Sequence, residues 1–433
     1  MRRSAAISLL TLVPLVTGTS AGVTENPGSL DPTFGQNGVM VTDLGGIDSG
    51  NAVVVGTRIV AAGTLQIGLC CDDWRQDLAL VGYLLDGTVD PSFGDGGVVI
   101  TDIDQLDRPV DMQLDREGRI LVLLSVGDST DTSGAVLARY LSDGAPDTSF
   151  GDGGLVDVGT DLVPKRIALQ SDGKIVVAAQ TPIVLTRYMP DGQPDPGFGE
   201  NGRVVTSLGT PNDWPIGLAV LPDGKLLVIA RTALLNREGD AGEFNLALVR
   251  YRQRGSLDSS FGDDGIVRRK IRDWYDVMDG DVTASGRIVV LVSGGGGGSY
   301  CATSYDGQSL WRFRQDGQPD TTFDGNGRAR LTTLNVRRIA LQAHGRILVA
   351  GEGCFNPDDP EFDLAFSLAR YRADGSLDGR FGTDGTVVSL IDGRFAVPHE
   401  LVLQSNDRVL VVGNTITSSL MEDNLAIARY IAA

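Results

Sequence analysis

Histidine and cysteine are nearly missing from this chain: its 433 residues hold 2 His and 4 Cys. Zinc centres and Ser-His-Asp chemistry need such residues in clusters, and none stands at a suggestive spacing. Apart from Gly18-Thr19-Ser20-Ala21-Gly22 at the apolar N-terminal segment, there is no Gly-x-Ser-x-Gly nucleophile elbow. The five-glycine run Gly294–Gly298 has no Lys-Ser/Thr after it, which excludes a phosphate cradle. Cations are short as well, with 37 Lys and Arg against 56 Asp and Glu, a net charge of −19. That balance disfavours nucleic acid and anionic membranes as partners and favours solubility. No stretch approaches the ~20 apolar residues of a membrane span. No segment carries a helical period with caps.

What is present is a repeat. The stretch Asp-Gly-x-x-Asp-x-x-Phe-Gly-x-x-Gly recurs seven times, with Pro27 and Arg254 replacing the first Asp in two copies and Asp324 the Gly after Phe in another; its aromatic is at Phe34, Phe93, Phe150, Phe198, Phe261, Phe323 and Phe381. The Asp three places earlier is constant: Asp31, Asp90, Asp147, Asp195, Asp258, Asp320 and Asp378. Four short runs rich in Val, Ile and Leu, bounded by Gly, Asp and Ser, lie between successive motifs and read as strands. In the second repeat they are Val110–Leu114, Ile120–Leu124, Ala135–Tyr140 and Leu155–Val158. A tight turn such as Asp172-Gly173-Lys174 joins the first two, a hairpin signal. The third run ends in Arg-Tyr, as at Arg139-Tyr140 and Arg429-Tyr430.

A repeat of this length implies stacked supersecondary units rather than unrelated domains. Four strands in each of seven repeats predict an all-β, seven-bladed β-propeller of four-stranded blades. The chain ends on a third strand, Leu425–Tyr430, and opens with a motif and a lone strand, Val39–Thr42. The expectation is that the N-terminal strand completes the C-terminal blade and closes the ring. Residues 1–21 read as a signal peptide, from Arg2-Arg3, the apolar stretch Ala5–Val16 and Thr19-Ser20-Ala21. The mature chain, 22–433, is then one propeller, secreted or periplasmic and monomeric. With its motif copies in register with the strands, the chain resembles the delta-60 repeat proteins over about residues 28–430. That resemblance implies an exported bacterial β-propeller of unknown function and brings no catalytic residues.

The repeated Asp and Phe read as structure: the Asp holds a turn and the Phe packs between blades. A calcium loop at Asp320–Gly327 is the alternative; otherwise no cofactor and no metal is expected. His344 reads as an exposed turn residue and His399 as structural. Connection parity puts the regular loops on one face and the irregular ones on the other. Varied loops on a rigid scaffold are where binding residues sit. The binding candidates are therefore Asp72, Asp73, Trp74, Trp214, Trp274, Tyr275, Phe355, Asp358, Asp359 and Glu361. The cysteines lie on the same face; neighbouring loops predict a Cys301–Cys354 bridge, with Cys70 and Cys71 as a vicinal bridge or free thiols. The function these features predict is an exported, non-enzymatic scaffold binding a protein or glycan. The alternative is a polysaccharide-directed hydrolase or lyase with carboxylates at the channel mouth.

Overall fold

A computed structural model describes residues 26–432 except 46–47, 69–74, 129–132, 161, 181, 211, 236–240, 272–274, 295–306, 332–334, 355–363 and 417–422. The described residues form 28 strands, with one short 3-10 turn at Ala343–Gly345 and no α-helix. Strand β1 (Val39–Thr42) stands first. Then follow β2 (Asp48–Val55), β3 (Ile59–Ile67), β4 (Arg75–Tyr83) and β5 (Val98–Thr101). The second group is β6 (Leu106–Leu114), β7 (Ile120–Gly127), β8 (Ser133–Tyr140) and β9 (Leu155–Gly159). The third is β10 (Val163–Leu169), β11 (Ile175–Gln180), β12 (Ile183–Tyr188) and β13 (Arg203–Thr206). The fourth is β14 (Asn212–Val220), β15 (Leu226–Leu235), β16 (Ala241–Tyr251) and β17 (Ile266–Lys270). The fifth is β18 (Tyr275–Val282), β19 (Ile288–Gly294), β20 (Ser309–Phe313) and β21 (Arg328–Arg330). The sixth is β22 (Asn335–Leu341), β23 (Ile347–Cys354), β24 (Leu364–Tyr371) and β25 (Thr386–Ser389). The chain ends with β26 (Phe395–Leu403), β27 (Arg408–Ile416) and β28 (Asn424–Ile431).

Each group is an antiparallel meander, as hairpin turns between successive strands dictate. The first two groups count as one eight-stranded sheet, because a single parallel pairing, Gln76 with Leu106, joins β4 to β6. The last three strands are completed by β1, in the order β1-β28-β27-β26, with Val39 opposite Ala428 and Thr42 opposite Leu425. Among the described residues no sheet closes on itself. The first strands touch in sequence, β2 to β6, β10, β14, β18, β22 and β26, and β26 touches β2. Apolar cores lie between consecutive sheets. One of them joins Phe34, Val53 and Tyr83 to Leu410 and Ile427, from opposite ends of the chain.

The three sequence signals of each repeat meet at one point. Arg139 of the Arg-Tyr pair donates from Nε to Asp147 Oδ2 at 2.8 Å, and its guanidinium lies 4.3 Å from the Phe150 ring centroid. The same arrangement holds at Arg187–Asp195, Arg250–Asp258, Arg312–Asp320 and Arg370–Asp378, at 2.8 to 2.9 Å. The cation of the hairpin turn reaches the same carboxylate: Lys174 to Asp195 at 3.2 Å, Lys225 to Asp258 at 3.3 Å, Arg287 to Asp320 at 3.0 Å. The first repeat has Gly82 where the others have Arg, and the turn residue Arg58 takes over, 2.8 Å from Asp90. The second motif oxygen caps its own turn, as Asp147 Oδ1 accepts from Ser149 N–H and Oγ.

This assembly also ties each repeat to the next. Arg250 donates to the Gln315 carbonyl at 2.8 Å and Arg370 to that of Ala432, also at 2.8 Å. Each motif Phe is fully buried. A Cβ on Gly144 would come within 3.1 Å of Phe93, and one on Gly192 within 3.1 Å of Phe150. The Asp-Gly glycine is therefore required twice over, by its positive φ and by the preceding repeat's ring. The same bonds run between the chain ends: Arg429 donates to Asp31 at 3.0 Å and to the Leu85 carbonyl, and Gly382 N–H donates to the Pro27 carbonyl at 2.7 Å.

Candidate functional site

The first strand of every repeat carries a register shift at the same place, after Gly50, Pro109, Pro164, Pro215, Val277, Val336 and Pro398. Proline at four of these positions supplies no ladder N–H, which fits a bulge and not a regular pair. The bulge brings the next residues inward: Ala52, Asp111, Arg166, Gly217, Asp279, Arg338 and Glu400. Five of the seven are charged. Arg166 of β10 lies 3.8 Å from Asp279 of β18, two groups away, and Gly217 on the strand between has no side chain to intervene. Arg338 lies 3.6 Å from Glu400. Asp111 accepts from Ile167 N–H at 2.8 Å, and Asp279 from Ile339 N–H at 2.9 Å, each on the following first strand.

These charges feel one another. Burial pushes the Asp111 carboxyl up to about 6; Arg166 and the Ile167 N–H oppose the rise and Glu400 adds to it. Burial works against the charged form of Arg338, but Glu400, Asp279 and Asp111 outweigh it and raise its pKa. Carboxylates and guanidiniums thus converge on the space inside the first strands, in alternating sign.

A second polar tier lies six residues after each hairpin-turn cation: Thr64, Ser125, Gln180, Arg231, Ser293, Glu352 and Asn414. Glu352 is 2% exposed and accepts from Asn335 Nδ2 at 2.8 Å and from Arg337 Nε at 2.6 Å. Asn414 donates to Asp423 at 3.1 Å, so its amide oxygen faces His399 Nε2, 2.6 Å away. A proton on Nε2 would satisfy this contact and leave the lone pair on Nδ1. Burial lowers the His399 pKa; the Asn414 bond opposes this, and Arg337 and Arg338 add to it. Arg231 stacks on the Trp214 ring at 3.4 Å from its centroid and pairs with Asp276.

Of the sequence-derived binding residues, Trp214 stands beside this second tier, half-buried beneath Arg231. Tyr275 begins β18, one residue before the Asp276 that Arg231 holds. Asp72, Asp73, Trp74, Trp274, Phe355, Asp358, Asp359 and Glu361 lie outside the described residues, as do residues 1–21 and Cys70, Cys71 and Cys301. Cys354 closes β23, and the backbone alone is described there. The calcium reading of the Asp320 loop meets a carboxylate already engaged by Arg312, Arg287 and Thr322.

The charged tier was missed by sequence reasoning. Its signal is a fixed offset, four residues before the hairpin turn begins, where Asp, Arg, Gly, Ala and Glu replace one another. A position that varies in charge between repeats looks like noise until the bulge shows that all copies face one space. Among the described residues, one further acidic group has its oxygens within 4.8 Å of one another: Asp77, Asp102 and Asp107. Arg75 faces it, 3.0 Å from Asp77 and 3.9 Å from Asp102, and Asp107 accepts the N–H groups of Ile103 and Asp104.

No curated protein matches the chain. Two polysaccharide lyases have similar structures. Polysaccharide lyase Uly1 is 10% identical, with 89% of this chain and 90% of that one covered and a TM-score of 0.51. A lyase of a new family, PL25 ulvan lyase, is 11% identical, with 89% and 94% covered and a TM-score of 0.52. At such identity the likeness concerns fold alone. The domain of unknown function (DUF5122) beta-propeller family matches residues 118–150, 170–198 and 221–261. Each match begins within or just before a hairpin turn and ends on a motif phenylalanine, Phe150, Phe198 or Phe261. The chain is thus all-β with propeller-fold neighbours, similar over three of its repeats to a β-propeller family of unknown function.

Proposed function

We propose that the chain is an exported, seven-bladed β-propeller, closed by its N-terminal strand, that works as a binding scaffold for a glycan or protein outside the cell. Closure is supported by the β1–β28 pairing and by the Arg429–Asp31 and Gly382–Pro27 bonds between the chain ends. Residues 1–21 act as the signal peptide and direct the protein to the periplasm or the medium. The observation that carries the binding reading is the contrast between the two faces. On the motif face, the repeated carboxylates are consumed by arginines and turn amides. At the other end of the first strands stand Trp214, Arg231, Glu352 and His399, aromatic and polar groups on a rigid frame with varied loops around them. A glycan and protein binding screen on the mature chain tests this. Binding that is lost on Trp214→Ala, with the melting temperature retained, is the expected result; no ligand in either panel refutes the scaffold.

The second reading is a polysaccharide-directed hydrolase or lyase. Asp111, Asp279 and Glu400 converge in the channel, and His399 offers a lone pair on Nδ1 beside Arg337 and Arg338. Each carboxylate has an arginine in reach, which favours a closed ionic network over a free acid–base pair. Cleavage of a polysaccharide by the wild type, abolished in both Asp111→Asn and His399→Gln, would establish the enzyme.

A further inference from the structure

We infer that Lys165, Gln180 and the stacked Trp214–Arg231 pair form a binding site for a uronic acid, with Lys165 taking the sugar carboxylate and Gln180 a hydroxyl. The inference rests on the glycan-binding reading and narrows it to acidic saccharides.

Comparison of equivalent positions in the repeats carries the argument. Lys165 is the bulge residue of β10, as Arg337 is of β22 and His399 of β26. In those two sheets the bulge residue is matched within its own sheet, Arg337 by Glu352 and His399 by Asn414. In the third sheet the corresponding second-strand residue is Gln180, and the match is not made. The Lys165 ammonium has no carboxylate or acceptor among the described residues, although the chain has 56 acidic residues. Gln180 Oε1 is buried with no donor among the described residues. A donor and an acceptor are therefore both left over at one level of one sheet, where a native fold would normally satisfy them.

The surroundings define the complement. The next group presents a cation and not an acid: Arg231, register partner of Trp214 on the adjacent strand, and β10 packs on β14. Arg231 is already paired with Asp276, and Arg166 with Asp279. Lys165 is the surplus positive charge, and burial together with Arg166 and Arg231 lowers its pKa. A carboxylate would relieve that repulsion, a hydroxyl would satisfy Gln180, and the half-exposed indole offers apolar area for a sugar ring. An inorganic anion supplies the first of these alone.

Isothermal titration of the mature chain with sodium glucuronate, glucose and sodium sulfate tests the site. Glucuronate should bind, weaken with added salt, and lose about tenfold in affinity in Lys165→Gln. Lys165→Arg should retain most of it, and Gln180→Leu should reduce glucuronate binding while leaving sulfate unchanged. Because Lys165 has no partner among the described residues, Lys165→Gln should fold with undiminished melting temperature, so lost binding reports the site. Glucose bound as well as glucuronate, sulfate bound more tightly than glucuronate, no glucuronate binding, or unaltered binding in Lys165→Gln would each overturn the inference. A protein that captures neutral glycans but not glucuronate leaves the scaffold reading intact and refutes this one. Glucuronate binding through Lys165, with no polymer or protein captured, does the reverse.

Discussion

Replacing Arg139 by Met tests the central structural argument, that one arginine per repeat fastens the motif. Arg139 is 3% exposed and binds Asp147 Oδ2 at 2.8 Å, the Pro190 carbonyl of the next repeat, and the Phe150 face. Met fills most of the stem volume, so little of the effect is cavity. What remains is a carboxylate 5% exposed that has lost its main partner. Removing one member of a buried pair costs ~3–5 kcal/mol. Asp147 keeps its Ser149 bonds and has Arg119 at 3.8 Å, which places the cost near the lower end, about 3 kcal/mol. The lost guanidinium–ring contact adds about 1 kcal/mol. Urea unfolding followed by circular dichroism should show a lower midpoint for Arg139→Met. The double variant Arg139→Met/Asp147→Asn should regain part of the loss, because no uncompensated charge is left. A double variant as unstable as the sum of the two single changes, or an unchanged midpoint in Arg139→Met, would refute the reasoning.

Two further outcomes follow from the same geometry. Deleting residues 22–44 removes β1, Phe34 and the Asp31 that faces Arg429 and Arg408, and should lower stability by more than about 5 kcal/mol; an unaltered melting temperature would show that the segment is a loose tail. Stability should also pass through a maximum in mild acid. Burial alone would raise the motif Asp147, Asp258 and Asp320, but their serine, threonine, lysine and arginine bonds hold them below the ordinary 3.8, so their contribution is present above that pH and lost as pH falls through the native values. Asp107 and Asp111, raised to about 7 and about 6, act with the opposite sign: ionising them costs the fold as pH rises from 3.8 through those values. Urea midpoints from pH 2 to 8 check both flanks, and Asp111→Asn should flatten the alkaline one; a midpoint independent of pH contradicts the assignment.

The repeat is legible without coordinates because its signals are local. Asp-Gly turns, x-Gly hairpins and apolar runs act within a few residues, and seven copies average away the variation of any one. The pairing of Val39–Thr42 with the last strand was equally legible, since a motif without its preceding strands and a strand without its neighbour each expose unsatisfied backbone. Asp147 and Phe150 stood out by repetition; in the fold Asp147 accepts from Ser149 and Arg139, and Phe150 is buried.

Other features depended on tertiary placement. The sequence shows Arg-Tyr, Asp-Gly-Lys and the motif Asp as three separate signals; the meander brings them to one carboxylate, where burial requires that charges be paired. Nothing in the linear order connects Arg166 with Asp279, which are 113 positions apart; a bulge at a common register turns both toward the same space, and Gly217 leaves the way open. Trp214 stood out as an aromatic, but its partner Arg231 and the unmatched Lys165 and Gln180 emerge only where strands of different repeats lie side by side. Sequence determined this protein wherever the relevant forces act along the chain. Structure decided wherever charges from distant repeats share one low-dielectric space and each ionisation depends on the others.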